Sequence, residues 1–404
     1  MTNHTRPPTH RTTNSYSRRA LLAASASIAA GTAGCLGGVG GNSPDAAQPE
    51  PIETDDDLPE RPQVTNPPDA VYLPSHRESM VMLSPIEVGE YAISPHVSFP
   101  HHFWLVTGTD TEEVAPSEYG VHLMLAVRDA ETGQPLPVDT GAEVVVRRDG
   151  EHIDQRIPWP MIAQPMGFHF GDNVALPGPG TYTVEVTLNP IGARKTGGFE
   201  GRFEERVSTT FEFTYDDEVR QELIEGVTFV EEDRWGTPGA LEPMGHDGGG
   251  HGGGHDGGHG NGGHDGGGNG HNHGGSPSGM LPPASAYPGR DLGSPSISDA
   301  AFVARYLERS RLSSDGGGYL LVSPRTPYNR YPLPDMALSV AGSLDGELVQ
   351  TIDDELGHHY GLAAELSPGD ALELVVETPP QLARHRGYET AFLEAGSMRL
   401  EVSE

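Results

Sequence analysis

One cysteine and one lysine are present among 404 residues, and basic side chains are scarce overall, with 25 Lys and Arg set against 58 Asp and Glu. The lone thiol, Cys35, rules out an intramolecular disulfide framework and a thiolate-rich metal site. It also rules out a blue-copper centre in the folded region, because that centre requires a cysteinate. A formal charge of −33 argues against nucleic acid as a partner, since phosphate neutralisation needs clustered Lys and Arg. Self-repulsion of this size is screened only by abundant salt, so the composition reads as a surface suited to a saline, haloarchaeal-type habitat. The apolar run from Ala20 to Gly34 has fifteen residues, short of the roughly 20 that a membrane-spanning helix needs.

That run follows Arg18-Arg19 and ends at Cys35, the layout of a twin-arginine secretory signal. Thr32-Ala33-Gly34 directly before Cys35 resembles a lipobox, in which the cysteine is lipidated and becomes the new N-terminus, anchoring the protein to the outer face of the cell membrane; the alternative is a free-standing cleaved signal with an incidental cysteine. Residues 1–34 are therefore set aside. Their loss removes Arg6, Arg11, Arg18 and Arg19 but no acid, taking the charge from −33 to −37.

Composition divides the remainder. Residues 35–68 are rich in Gly, Pro and Asp and read as a disordered tether, and residues 236–290 read as a disordered linker. The linker centre, "GHDGGGHGGGHDGGHGNGGHDGGGNGHNHGG", places His246, His251, His255, His259, His264, His271 and His273 among Asp247, Asp256 and Asp265. Such a tract cannot bury enough apolar surface to fold; it could chelate divalent metal loosely or serve as a polar spacer. Two folded segments are left, 69–235 and 291–404.

Both segments read as all-β, as two tandem immunoglobulin-like sandwiches. Period-two runs such as "VHLMLAVRD" (121–129), "AEVVVRRDG" (142–150), "TYTVEVTLNP" (181–190), "TTFEFTY" (209–215), "GYLLVS" (318–323), "ALELVVE" (371–377) and "SMRLEV" (397–402) alternate with Gly, Pro and Asp turn clusters. Helical patterning appears in "DEVRQELIEG" (217–226) and "ISDAAFVARYLERS" (297–310), with a strand or an irregular connection as the alternative for each. An internal repeat relates the segments: "GFHFGDN" (167–173) matches "GHHYGLA" (357–363), and Arg194 and Arg384 each follow the matched histidine by 25 residues. After those arginines, "KTGGFEGRF" matches "HRGYETAF" with one residue deleted.

The chemistry concentrates in "PWPMIAQPMGFHFGDN" (158–173). His122 and Met124 share one strand face, and Met161, Met166 and His169 lie on a connection and strand start able to fold over that face. Imidazole nitrogen with thioether sulfur suits copper, silver or a poorly selective divalent ion better than calcium or magnesium. Methionine in a sandwich core is commonly packing, so the proposal rests on the group rather than on any one residue. "PHVSFPHHFWLV" (95–106) holds His96, His101 and His102 among aromatics, a pattern commoner in a core strand than in a ligand set. No hydrolase elbow, phosphate loop or His-Glu-x-x-His helix is present, which argues against an enzyme; a copper centre with an open position is the one feature that could carry redox chemistry.

"PMIAQPMGFHFGDNVALPGPGTYTVEVTLNP" resembles the periplasmic high-affinity iron-transport protein family, and the layout is similar to haloarchaeal lipoproteins of iron-transport type. Those proteins are immunoglobulin-like sandwiches, secreted or lipid-anchored, that bind copper and assist iron uptake. A His-x-Glu pair, a Pro-Met methionine, a His-Tyr-Gly histidine and a further histidine from an Arg-His segment line the family's site. The resemblance implies that His122, Met161 and His169 are ligands here, with Met124 in place of the glutamate and Lys195 in place of the second histidine. Exchanging a carboxylate for a thioether shifts preference toward cuprous ion. In the second segment the resemblance implies His358, His359, His385 after Arg384, and Met336, with Ile352 where the methionine would stand. The expected function is a surface lipoprotein with a copper site and iron as cargo, passing metal to a membrane permease; the alternatives are copper buffering at the surface and a metal-free envelope or adhesion protein. The two sandwiches are expected to pair either with each other or across a homodimer.

Overall fold

The computed structural model describes residues 61–116, 120–244 and 279–402. Cys35, the twin arginines and the seven linker histidines lie outside the described residues. All described residues fall within one compact unit, Asp57–Glu404, and among them no helix is long and apolar enough to cross a membrane.

The architecture is all-β. Each of the seven expected strand runs forms a strand, for example Val121–Asp129, Gly180–Leu188 and Tyr319–Arg325. In the first sandwich one sheet runs in the order Met80–Met82, Tyr91–Ser98, Val121–Asp129, Gly167–Val174, Trp159–Ala163. The facing sheet runs Val207–Tyr215, Gly180–Leu188, Glu143–Arg148, Glu151–Arg156. Alternate residues of both sheets, including Leu123, Leu125, Val144, Val146, Phe170, Tyr182 and Val184, close a buried core between them. The second sandwich is one continuous ladder from Arg290–Gly293 through Tyr319–Arg325, His359–Ala363 and Gly346–Asp353 to Gly396–Glu401.

The sandwiches exchange strands. Ala383–Arg384, from the second, lies parallel to Trp159–Ala163 and antiparallel to Phe103–Thr107, filling the place between two strands of the first sandwich. In return Arg194–Thr196, from the first, lies parallel to Gly346–Asp353 of the second. The Ile162 carbonyl accepts the His385 amide at 3.1 Å, and the fully buried Ile162 side chain joins the second sandwich's core. The pairing is thus within one chain.

Three readings are corrected. Asp217–Glu225 is a helix, capped by the Asp216 carboxylate on the Val219 amide, but the 297–310 stretch is the strand Ala300–Leu307. Ala300, Phe302, Ala304 and Tyr306 enter one core while Val303 enters another; a strand covered on both faces loses its alternation and mimics a helical pattern. The 35–68 tether has a packed end, where Pro68 O accepts the Thr390 hydroxyl at 2.7 Å and Arg61 pairs with Glu78. Both ends of the 236–290 linker also lie on the fold, through Leu241 N to Gln164 Oε1 at 2.8 Å and Leu281 N to Arg330 O at 2.9 Å.

Candidate metal centre

Met161 is in a strand, not on a connection: Trp159–Ala163 and Gly167–Val174 form a hairpin in which Met161 stands directly opposite His169. The next strand, Val121–Asp129, places His122 opposite Asn173 and Met124 opposite Gly171. His385 arrives from the exchanged arm, two residues beyond Ala383, which faces Met161. Assignment of His385 to a second-sandwich site is therefore corrected: it completes the first. His101 also joins, one of its ring nitrogens lying within 4.8 Å of a ring nitrogen of His122 and of His385. The aromatic company of His101 hid it in the sequence, and its only signal was proximity to a second histidine.

The tautomers follow from the hydrogen bonds. His169 Nδ1 donates to Gly167 O at 3.0 Å, and His122 Nδ1 donates to Asn173 Oδ1 at 3.0 Å. Asn173 is oriented by giving its own amide proton to His101 O at 3.0 Å. His101 Nδ1 donates to Phe99 O at 2.8 Å, so His101 Nε2 must accept the proton of His385 Nδ1, 3.0 Å away. His122, His169 and His385 are each left with a bare Nε2 lone pair, while that of His101 is taken up by His385.

Three donor atoms meet. His385 Nε2 lies 3.1 Å from Met161 Sδ and 3.3 Å from His169 Nε2. A Cβ built on Gly171 would sit 2.7 Å from Met161 Sδ and 3.0 Å from His122 Nε2, so the missing side chain leaves both donors room to face inward. His122 Nε2 is buried and has no partner. Burial first, and neighbouring imidazoles second, hold His122 and His385 well below the ordinary histidine range; His169 is lowered to about 3, chiefly by burial. No proton is available among these four atoms, and grouping bare acceptors away from water is costly. A bound cation would resolve the conflict, and imidazole nitrogen with thioether sulfur is a donor chemistry that suits a soft ion. Phe103, Met161 and Ala383 form a small apolar cluster around the sulfur.

A cavity of about 70 Å³ adjoins the cluster, with Glu78, His101, Met124, Met166, His385 and Arg386 on its walls. Met124, though buried, and Met166 therefore line the approach. Met336 does not belong: its side chain packs in the second core and its amide donates to Tyr360 Oη at 2.8 Å. His358 and His359 are buried in the second sandwich, where His358 has both ring nitrogens unpartnered. His359 donates from Nδ1 to Gly357 O at 3.1 Å.

The fold is an all-β protein whose first sandwich carries a buried cluster of histidine and methionine side chains joined by His385 from the second. Residues 133–217 match the family described as Fe2+ transport protein, which includes Met161 and His169. Residues 285–401, with His385, match a domain of unknown function, so the centre draws on both matched regions. No curated protein matches the chain. Among solved structures, a copper-bound variant of FetP from uropathogenic Escherichia coli strain F11 is 19% identical, covering 34% of this chain and 97% of its own at a TM-score of 0.27. The as-isolated FetP of that strain is 18% identical, covering 34% of this chain and 95% of its own at a TM-score of 0.25.

Proposed function

We propose that the protein is an extracytoplasmic metal-binding lipoprotein of an iron-uptake system, anchored through Cys35, holding copper at His122, Met161, His169 and His385 and presenting iron to a membrane permease. The observation that carries the copper site is the meeting of His385 Nε2 with Met161 Sδ and His169 Nε2 in a buried space, beside the unpartnered Nε2 of His122. The match of residues 133–217 to the Fe2+ transport family supports iron as the cargo. Binding, orientation and exclusion of water are the protein's contribution; when bound, copper would supply a one-electron couple. His101 and Asn173 orient the ligands, and the methionine-walled cavity offers an entry route.

Two measurements test this reading. The mature chain with its seven linker histidines changed to glutamine should bind cuprous ion, and His169→Ala should abolish that binding; a chain that takes up no metal in this form leaves a metal-free envelope protein. A deletion strain should grow poorly under iron starvation and recover with ferrous iron. A defect appearing only under excess copper would instead support surface buffering, the reading favoured by Met124 lining the approach where a carboxylate would be expected.

A further inference from the structure

The strand exchange relates the two sandwiches closely enough to compare their centres position by position. His169 and His359 occupy matching places in the repeat. Opposite His169 stands Met161, and opposite His359 stands Thr351. Four residues beyond each histidine, Asn173 faces His122, whereas Ala363 faces Tyr319. On the exchanged arms, Ala383 faces Met161 and Arg194 faces Thr351, so two residues further on His385 is matched by Thr196. The sequence repeat, which aligned Arg194 with Arg384, is off by one on these arms; the residues at the ligand positions are Thr196 and Thr351, not Lys195 and Ile352.

Three of four donors are thus exchanged for hydroxyls, and the hydroxyls carry protons. Thr196 Oγ1 donates to Asp353 Oδ2 at 2.6 Å, and Thr351 Oγ1 donates to Val349 O at 3.0 Å. Tyr319 Oη lies 3.5 Å from His359 Nε2, and the space above Gly361, counterpart of Gly171, is filled by that phenol: a Cβ there would be 2.0 Å from Tyr319 Oη. Asp353, fully buried, is paired with Arg311 at 2.7 Å. Where the first centre has lone pairs without protons, the matching positions of the second, Thr196, Thr351, Tyr319 and His359, have hydrogen-bond partners.

We propose that the second sandwich, the region of unknown function, serves as a built-in partner: it has lost its own metal centre and supplies His385 to the first, so the folded part of the chain binds one ion and needs no second copy. This rests on the copper reading given above. The test is cuprous-ion titration of the mature chain carrying the seven linker His→Gln changes, with mass measured in solution at each point. The expected result is one equivalent per chain on a monomer, unchanged by His359→Ala and weakened at least a hundredfold by His385→Gln, whose metal-free melt should stay close to that of the parent. Two equivalents, one of them lost with His359→Ala, would overturn this inference while leaving the first centre intact. Full retention of metal by His385→Gln, or loading only in a dimer, would overturn it equally, and no binding at all would remove both readings.

Discussion

His385 Nε2 lies 3.1 Å from Met161 Sδ although 224 positions separate them in the chain. The contact exists because a two-residue strand crosses between sandwiches, placing Ala383 beside Met161 and so directing His385 over the sulfur. A metal held at this contact would therefore link its affinity to inter-sandwich docking, because an ion that binds the assembled form stabilises it by mass action. Copper loading should raise the melting temperature of the whole unit in one cooperative transition, seen by calorimetry. Separate melting of the two sandwiches, with only the first responding to copper, would contradict the linkage.

Met161 isolates the role of sulfur from that of packing. Met161→Leu keeps the volume at a fully buried position, and such swaps usually cost under about 1.5 kcal/mol. Cuprous affinity should nevertheless fall by tenfold or more while cobalt or zinc binding by the imidazoles changes less, read by competition with a chromophoric chelator. Equal cuprous affinity in the variant would make Met161 a packing residue.

The supporting shell is testable at Asn173, which accepts from His122 Nδ1 and donates to His101 O. Removing an outer partner of this kind typically costs about 10–100-fold in metal affinity. Asn173→Ala should show a loss in that range, whereas Asn173→Asp, which keeps an acceptor for His122, should retain more; the reverse order would show that His122 is oriented by something else.

How far these features could be read in advance differs by residue. The strands, together with His122, Met161 and His169, were legible because period-two burial and one compact motif are local signals. His385 was visible as a histidine after Arg384, but its destination was not, because nothing local distinguishes a strand that pairs at home from one that pairs across the junction. His101 was masked by neighbouring aromatics that favour a core reading. The Ala300–Leu307 strand, buried on both faces, left no alternation to detect. The arm register slipped by one because Arg194 and Arg384 look alike yet differ in setting: Arg384 is buried, bonding Leu382 O and Pro380 O, while Arg194 is exposed.

Gly171 is required by the centre rather than by backbone strain. An alanine methyl would stand 2.7 Å from Met161 Sδ and 3.0 Å from His122 Nε2, within the space an ion needs. Gly171→Ala should abolish copper binding and cost about 1–3 kcal/mol of stability from overpacking, measured by denaturant unfolding of the metal-free chain. Normal copper uptake by this variant would place the ion away from these two donors.

Acid sensitivity should arise at His358 independently of the metal. Burial, and secondarily the neighbouring His359, lowers His358 from 6.5 to about 3, and burial lowers His359 to about 4. In the unfolded chain both take a proton near the ordinary histidine value, so below about pH 6.5 the unfolded state binds more protons than the folded one. Stability is then undiminished above that pH and declines as pH falls toward 3, at up to about 1.4 kcal/mol per pH unit for each histidine held neutral. His358 has no partner for either ring nitrogen, so His358→Leu removes one such group without orphaning another. The variant's unfolding free energy should fall less steeply than the parent's between pH 6 and pH 4, by roughly one histidine's share. Parallel curves for the two proteins would show that His358 takes up its proton in the folded state.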